Sequence, residues 1–280
     1  MSETEINERT ARVTAKNERL FANHACTIAA CIRAGMKNGF SFRLIGVKRI
    51  EREQFVFAPE KTLFGEKSRV IEGAEKWFRY SYNKLRLCNM KVVLPEAAAE
   101  DEADPESAGL GLSCLYEGGR AALFTPWWSY NAQTDKWSVE YRESPCDPAL
   151  AKARFPDVSQ ELREALATLC DYCADINEQD SAGLLLCGID ELDGREAAWE
   201  LASQGEFHAT RIPVQRLPKL SEKSAHIYRA ATRTPVYGGT WYHGILAKAR
   251  ECGREDDFRA LMLRLWSAQR GAMLFTVNES

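Results

Sequence analysis

What this sequence lacks sets the first limits on its function. Its longest uninterrupted apolar run, Gly183–Ile189, is far shorter than the roughly 20 residues that a helix needs to cross a bilayer. The first residues, MSETEINERTARV, are charged and have no apolar centre, so they do not predict a secretory signal. The net charge of −3 implies no general attraction to nucleic acid or membrane. We therefore expect a soluble, cytoplasmic protein with no membrane partner.

Signatures of catalysis and of cofactor binding are also missing. The four histidines lie in unrelated segments, and their spacing indicates no nucleophile–base pair. Gly109 and Gly111, and the pair Gly118 and Gly119, precede predicted strands rather than a helix, so neither the dinucleotide fingerprint nor the Walker pattern is met. The sequence predicts no cofactor and no metal. An enzyme whose site is dispersed along the chain stays open as an alternative.

The nine cysteines show no disulfide framework. An odd number of scattered thiols favours free cysteines in a reducing cytoplasm, a usage typical of a bacterial or phage-like protein. Cys170 and Cys173 have the spacing of half a zinc site or of a redox motif. No second close pair accompanies them, and they lie in the middle of a predicted helix. We interpret both as core thiols.

What the sequence does contain is a well-defined β region over residues 110–142. Three stretches alternate between apolar and polar residues and predict an antiparallel meander with one wet face. The predicted strands are Leu110–Glu117, Arg120–Pro126 and Lys136–Arg142. Gly118 and Gly119 suit a tight turn of positive φ, and Pro126 is predicted to mark a strand end or edge.

The first half of the chain predicts an α+β domain over residues 1–147. Helices are predicted within residues 3–36 and from about residue 68 to 87, with a hairpin near residues 41–58. The hairpin and the meander are expected to form an antiparallel sheet that packs with these helices. Residues 95–109 hold six acidic residues and no basic ones, which predicts a disordered acidic loop.

The second half, residues 148–280, predicts a mostly helical domain or subdomain. Its last helix is expected to span about residues 255–270 and to break at Gly271, after which residues 273–277 either continue it or form a terminal strand. Periodicity does not decide whether Gly183–Ile189 is a helix or a strand. Whether the two halves are separate domains is left open by the sequence.

Three aromatic residues at the end of the second predicted strand form one candidate site. Trp127, Trp128 and Tyr130 either cover one end of the core or form an exposed patch that binds a partner. These two interpretations make opposite predictions about the exposure of the rings.

A change in charge along the second half gives the other candidate site. Residues 151–206 carry 4 basic and 13 acidic residues, net −9, whereas residues 207–250 carry 8 basic and one acidic residue, net +7. The basic segment either packs beside the acidic one, so that the charges offset, or binds an anion or nucleic acid. The candidate anion-binding residues are Arg211, Arg216, Arg229 and Arg233.

These observations predict a non-catalytic protein-interaction or regulatory protein, with a protein partner or self-association. The alternatives are binding of nucleic acid or another anion through residues 207–250, and the enzyme with a dispersed site.

Overall fold

The computed structural model describes residues 18–38, 50–62, 65–94, 110–195, 220–234 and 240–279. Within these ranges the α-helices are α1 (Glu18–Asn38), α2 (Ala74–Asn83), α3 (Ser159–Asp175), α4 (Gln179–Leu192), α5 (Glu222–Arg233), α6 (Thr240–Glu251) and α7 (Glu255–Glu279). The strands are β1 (Ile50–Val56), β2 (Glu60–Thr62), β3 (Gly65–Lys67), β4 (Val70–Glu72), β5 (Leu87–Val93), β6 (Gly111–Tyr116), β7 (Ala121–Asn131) and β8 (Lys136–Pro145).

The backbone contacts divide the chain into two compact units. The described residues from Leu20 to Ala153 form the sheet unit, and those from Arg154 onward form the helical unit. This division falls close to the boundary predicted near residue 147. The assignment of residues 148–280 to a domain or a subdomain stays a prediction.

The sheet unit contains a six-stranded sheet in the order β4-β1-β8-β7-β6-β5, and β2 and β3 form a separate hairpin. The predicted α+β class is confirmed, but the prediction of an antiparallel sheet is only partly right. Strand β1 runs parallel to β8, and the other neighbours in the sheet are antiparallel. Alternation in a sequence shows which face of a strand is buried, but it does not give the direction of a distant partner.

The hairpin predicted near residues 41–58 is described only in part. Its first strand lies outside the described residues, and its second is β1, whose antiparallel partner is β4. The sequence placed Val70–Glu72 in the first turns of a helix. That helix, α2, begins only at Ala74, because Gly73 with φ of 84° separates it from the strand. The predicted acidic loop, residues 95–109, lies outside the described residues as well.

The predicted meander is confirmed as β6, β7 and β8. Gly118 and Gly119 have φ of 83° and 86°, as the tight turn requires. Pro126 does not end its strand, however, because β7 continues to Asn131 along β8. The pairing between β6 and β7 ends at Phe124. Beyond this point no residue of β6 accepts a hydrogen bond from β7, so the N–H that proline lacks is not needed at Pro126.

Stacked aromatic rings form the core of the sheet unit. The Phe55 ring lies between Trp77 of α2, at 4.3 Å between centroids, and Tyr141 of β8, at 4.9 Å. Phe124 contacts Trp77 edge-on at 5.1 Å, and all four side chains are buried. Each such ring pair adds about 0.5–1.5 kcal/mol beyond the burial of its area. This packing fixes α2 on one face of the sheet.

In the helical unit, α3 packs against α4, α4 against α5, and α7 against α3, α5 and α6. Gly183–Ile189 is part of helix α4. Helix α7 does not end at Gly271 but continues to Glu279. A Cβ atom at Gly271 would lie 3.0 Å from Cγ2 of Val158, so this glycine marks a close approach of the chain rather than a helix end. None of the described helices is long and apolar enough to cross a bilayer.

Candidate functional site

One face of the sheet packs on the aromatic core, while the opposite face is accessible to solvent across β7, β8, β1 and β4. Cross-strand partners lie on the same face of a sheet, so the register gives three rows of side chains there. The rows are Ser129–Ser138–Arg52, Trp127–Glu140–Gln54–Glu72 and Thr125–Arg142–Val56–Val70. None of these residues is buried, and we call them together the open face.

Trp127 is the largest apolar side chain of the open face, with 57% of its surface exposed. The guanidinium carbon of Arg142 lies 4.4 Å from the centre of the Trp127 ring. Nε of Arg142 donates a hydrogen bond of 2.6 Å to Glu140. A cation–π contact at an exposed site contributes about 0.5–1 kcal/mol, which is enough to favour one orientation of the ring.

Trp128 and Tyr130 are not part of this surface. Successive residues of a strand point to opposite faces, so both lie on the side opposite to Trp127. The Trp128 ring meets His24 edge-on at 5.5 Å, and the Tyr130 ring lies 5.1 Å from Trp137. The sequence grouped the three aromatics because Pro126 was taken to end the strand. Since β7 continues, the structure separates Trp127 from the other two.

A polar network that the sequence did not indicate lies on the core side of the sheet. His24 of α1 is only 2% exposed and is held at both ring nitrogens. Nδ1 lies 2.9 Å from the Tyr141 hydroxyl, and Nε2 lies 2.8 Å from Oε2 of Glu53. In the neutral imidazole, Nε2–H donates to Glu53 and Nδ1 accepts from the hydroxyl of Tyr141.

Glu53 also binds the first turn of α2. Its Oε1 accepts a hydrogen bond from the backbone N–H of Ala74, and its backbone carbonyl accepts one of 2.9 Å from Gly73. Gly73 occupies the N-cap position and has no side chain for capping, so the carboxylate of Glu53 supplies the acceptor from β1. A negative charge at a helix N-terminus is stabilised by the helix dipole.

This network fits a structural tie better than an acid–base site. Both nitrogens of His24 are engaged, so neither is available to accept a proton from a substrate. Burial, together with the negative charge of Glu53, raises the pKa of Tyr141 well above its usual value, and the phenol stays protonated. The three residues come from three distant elements, and no sequence spacing indicated their contact.

A second buried carboxylate, Glu191, lies near the end of α4 in the helical unit. It is 5% exposed and accepts a hydrogen bond of 2.6 Å from Nε of Arg229, and Nδ1 of His226 lies 2.8 Å from the same carboxylate oxygen. Its neighbours Asp190 and Asp193 complete what we call the acidic end of α4. Negative charges at a helix C-terminus oppose the helix dipole, so this end depends on cations from outside the helix.

Arginines supply those cations. Arg163 of α3 donates to both carboxylate oxygens of Asp193, at 3.1 and 2.9 Å, and these hydrogen bonds lower the pKa of Asp193. Arg195 contacts Asp190 and Asp193. The acidic end of α4 thereby joins α3, α4 and α5.

Half of the predicted anion-binding set lies outside the described residues, namely Arg211 and Arg216. Arg229 is paired with Glu191, and Arg233 is half-buried on α5. Other described basic residues of this segment also form ion pairs. These are Lys223 with Asp157, Lys248 with Glu251, and Arg250 with Glu255. The pairs agree with the interpretation that the charges offset within the fold, and anion binding stays a prediction.

The thiols at the suggestive Cys-x-x-Cys spacing are buried. Sγ of Cys170 donates to the carbonyl of Ala182 at 3.5 Å. Burial raises the pKa of Cys173 to about 12, which makes it a poor nucleophile and a poor metal ligand at neutral pH. Within the described ranges no group of three His, Cys, Asp or Glu side chains is placed to hold a metal ion.

The fold is thus that of an α+β protein in which a mixed sheet is followed by a helical unit. Comparison with known proteins adds no relative: no family model, no curated protein and no solved structure matches the chain. Its function has to be argued from its own geometry.

Proposed function

We propose that this chain is a non-catalytic interaction protein that binds a protein partner through the open face, with Trp127 as the anchor. The observation that carries the proposal is the exposure of Trp127, at 57%, on the sheet surface beside Arg142. Tryptophan and arginine are the residues that most often dominate the binding energy of protein interfaces. Charged and polar side chains surround the ring, as in an interface with a polar rim.

The contacts of the buried and partly buried histidine and carboxylate side chains favour the same proposal. Among the described residues, His24 and Glu53 are used to hold α1 and α2 in place. Glu191 forms an ion pair with Arg229 and contacts His226. Structural use of these groups supports an interaction role over an enzymatic one.

Site-specific photocrosslinking in the cells that produce the protein tests this proposal. A photoreactive residue at Ser129, on the open face, is expected to give a discrete adduct with a protein partner. The same residue at Gln160, an exposed position on α3, is the control and is expected to give none. Trp127→Ala should abolish the adduct from position 129, because it removes the anchor.

A second variant separates loss of binding from loss of fold. Leu263 is also an exposed large apolar residue, at 46%, but lies on α7. Leu263→Ala should leave the adduct unchanged. Truncating a side chain as exposed as Trp127 should cost less than about 1 kcal/mol of stability. If position 129 gives no adduct, or if the adduct survives Trp127→Ala, the open face is not the binding surface.

A further inference from the structure

We infer that the partner bound by the open face is a second copy of this chain, packed face to face in a two-fold symmetric dimer. This inference rests on the function proposed above and adds the identity of the partner. Two features of the open face lead to it, namely its charge and the order of its rows, and its size sets how strong the dimer should be.

The charge of the open face favours self-recognition. Its rows carry four charged side chains, Arg52, Arg142, Glu72 and Glu140, two of each sign, and the exposed carboxylate of Glu51 contacts Ser138 at their margin, so the surface has mixed sign and a net charge close to zero. A polyanion, or a peptide of one sign, gains no net attraction from such a surface. In a two-fold dimer every contact occurs twice. A surface that carries both signs can therefore place its positive side chains opposite the negative side chains of a second copy, and the reverse.

The order of the rows provides the matching pairs. Glu140 and Arg142 lie on β8, near the middle of the open face, in adjacent rows about 7 Å apart along the strand. The two-fold axis of the inferred dimer lies in the plane of the interface, perpendicular to the strands and midway between these two rows. Rotation about this axis places Glu140 of each copy opposite Arg142 of the other. The same rotation places Trp127 opposite Thr125 of the other copy, so the ring is covered by the methyl group of a small side chain.

The size of the open face sets the expected strength of the dimer. Three steps between four strands give a width of about 14 Å, and two steps between rows give a similar height. This area is below the roughly 800 Å² per partner of a stable interface. We therefore expect a weak dimer that forms at micromolar or higher concentration and dissociates on dilution.

Charge reversal in the full-length chain tests the pairing. Sedimentation velocity over a wide concentration range should show reversible dimers for the wild type. Glu140→Arg and Arg142→Glu should each weaken association by about tenfold or more, because each places like charges opposite each other. An equimolar mixture of the two variants should associate again, since each copy then offers the charge that the other needs. The double variant should also form dimers.

The mixture keeps the test independent of folding defects, because a damaged variant would not regain association when mixed with another. Reversing the surface pair Glu164 and Arg264 of the helical unit, one residue at a time, is the control and should leave association unchanged. A monomeric wild type, or a mixture that stays monomeric, would overturn the inference. If the wild type is monomeric while position 129 still crosslinks to a different protein, self-association fails and the proposed function stands. If that crosslink is also absent, both fail.

Discussion

Glu53 joins three elements of the sheet unit through one carboxylate. It extends from β1, holds the imidazole of His24 on α1 and accepts the N–H of Ala74 at the start of α2. A carboxylate in this position binds both donors with its negative charge, and hydrogen bonds to a charged group contribute about 1.5–3 kcal/mol. The stability of the sheet unit should therefore depend strongly on this side chain.

Glu53→Gln tests this dependence. The amide keeps the size of the side chain but removes the charge, and it turns one acceptor into a donor that faces either His24 or Ala74. We expect the free energy of unfolding in urea to fall by about 1–3 kcal/mol. Glu72→Gln is the matched control, because Glu72 forms an exposed ion pair with Arg52 and its loss should cost at most about 1 kcal/mol. Equal losses in the two variants would contradict a structural role of Glu53.

At this scale the sequence predicted burial better than it predicted contacts. The alternation in β8 correctly placed Trp137, Val139 and Tyr141 on the buried face. His24 was recognised only as an isolated histidine, because its partners Glu53 and Tyr141 lie 29 and 117 positions away. A side-chain contact between distant elements leaves no periodic signal in a single sequence.

Helix α4 depends on one glycine for its contact with neighbouring segments. A Cβ atom at Gly188 would lie 2.4 Å from Cγ2 of Thr234 and 3.1 Å from Cδ1 of Leu166. Thr234 follows α5 and Leu166 belongs to α3, so the missing side chain lets both approach α4 closely. Gly183, on the same helix, has no atom within 4 Å of an added Cβ.

This difference predicts opposite effects for two identical substitutions. Gly188→Ala should destabilise the helical unit by about 1–3 kcal/mol, since buried neighbours must move to accept the methyl group. Gly183→Ala should stabilise α4 by up to about 1 kcal/mol, because alanine has the higher helix propensity. Chemical unfolding of both variants measures the two effects. A loss of stability in both would show that the close approach at Gly188 is not what decides the outcome.

At the scale of elements, most helices and strands were predictable, and the errors have local causes. Pro126 was predicted to mark a strand end or an edge, and Gly271 to break a helix that residues 273–277 could continue. Each is tolerated inside its element for a reason that lies elsewhere in the chain. For Pro126 it is the end of the β6 pairing, and for Gly271 it is the approach of Val158.

The whole molecule consists of two compact units, each with its own buried core. Two cores of this kind are expected to open separately, because domains with their own core tend to act as separate cooperative units. The change between mixed and helical patterns in the sequence predicts a boundary near residue 147, and whether the two halves are separate domains stays an open question of the sequence. It indicated charge pairing within the helical unit as one of two alternatives but not the individual partners, which depend on how the helices pack.

Hydrogen exchange followed by mass spectrometry tests whether the units open independently. Glu53→Gln should speed amide exchange in peptides of the sheet unit and leave the helical unit unchanged. Gly188→Ala should have the reverse effect. Each variant thus acts as the control for the other. If either substitution speeds exchange equally in both units, the chain opens as one cooperative whole.

The acidic end of α4 also has a consequence for the order of folding. Asp190, Glu191 and Asp193 repel one another and oppose the dipole of their own helix, and Arg195 is the local cation that offsets part of this charge. The other partners, Arg163 and Arg229, come from α3 and α5 and become available only when those helices have docked. The start of α4 can form early, whereas its final turn has to wait for its neighbours. We therefore place the closing of this turn on the native side of the folding barrier, where its ion pairs slow unfolding more than they speed folding.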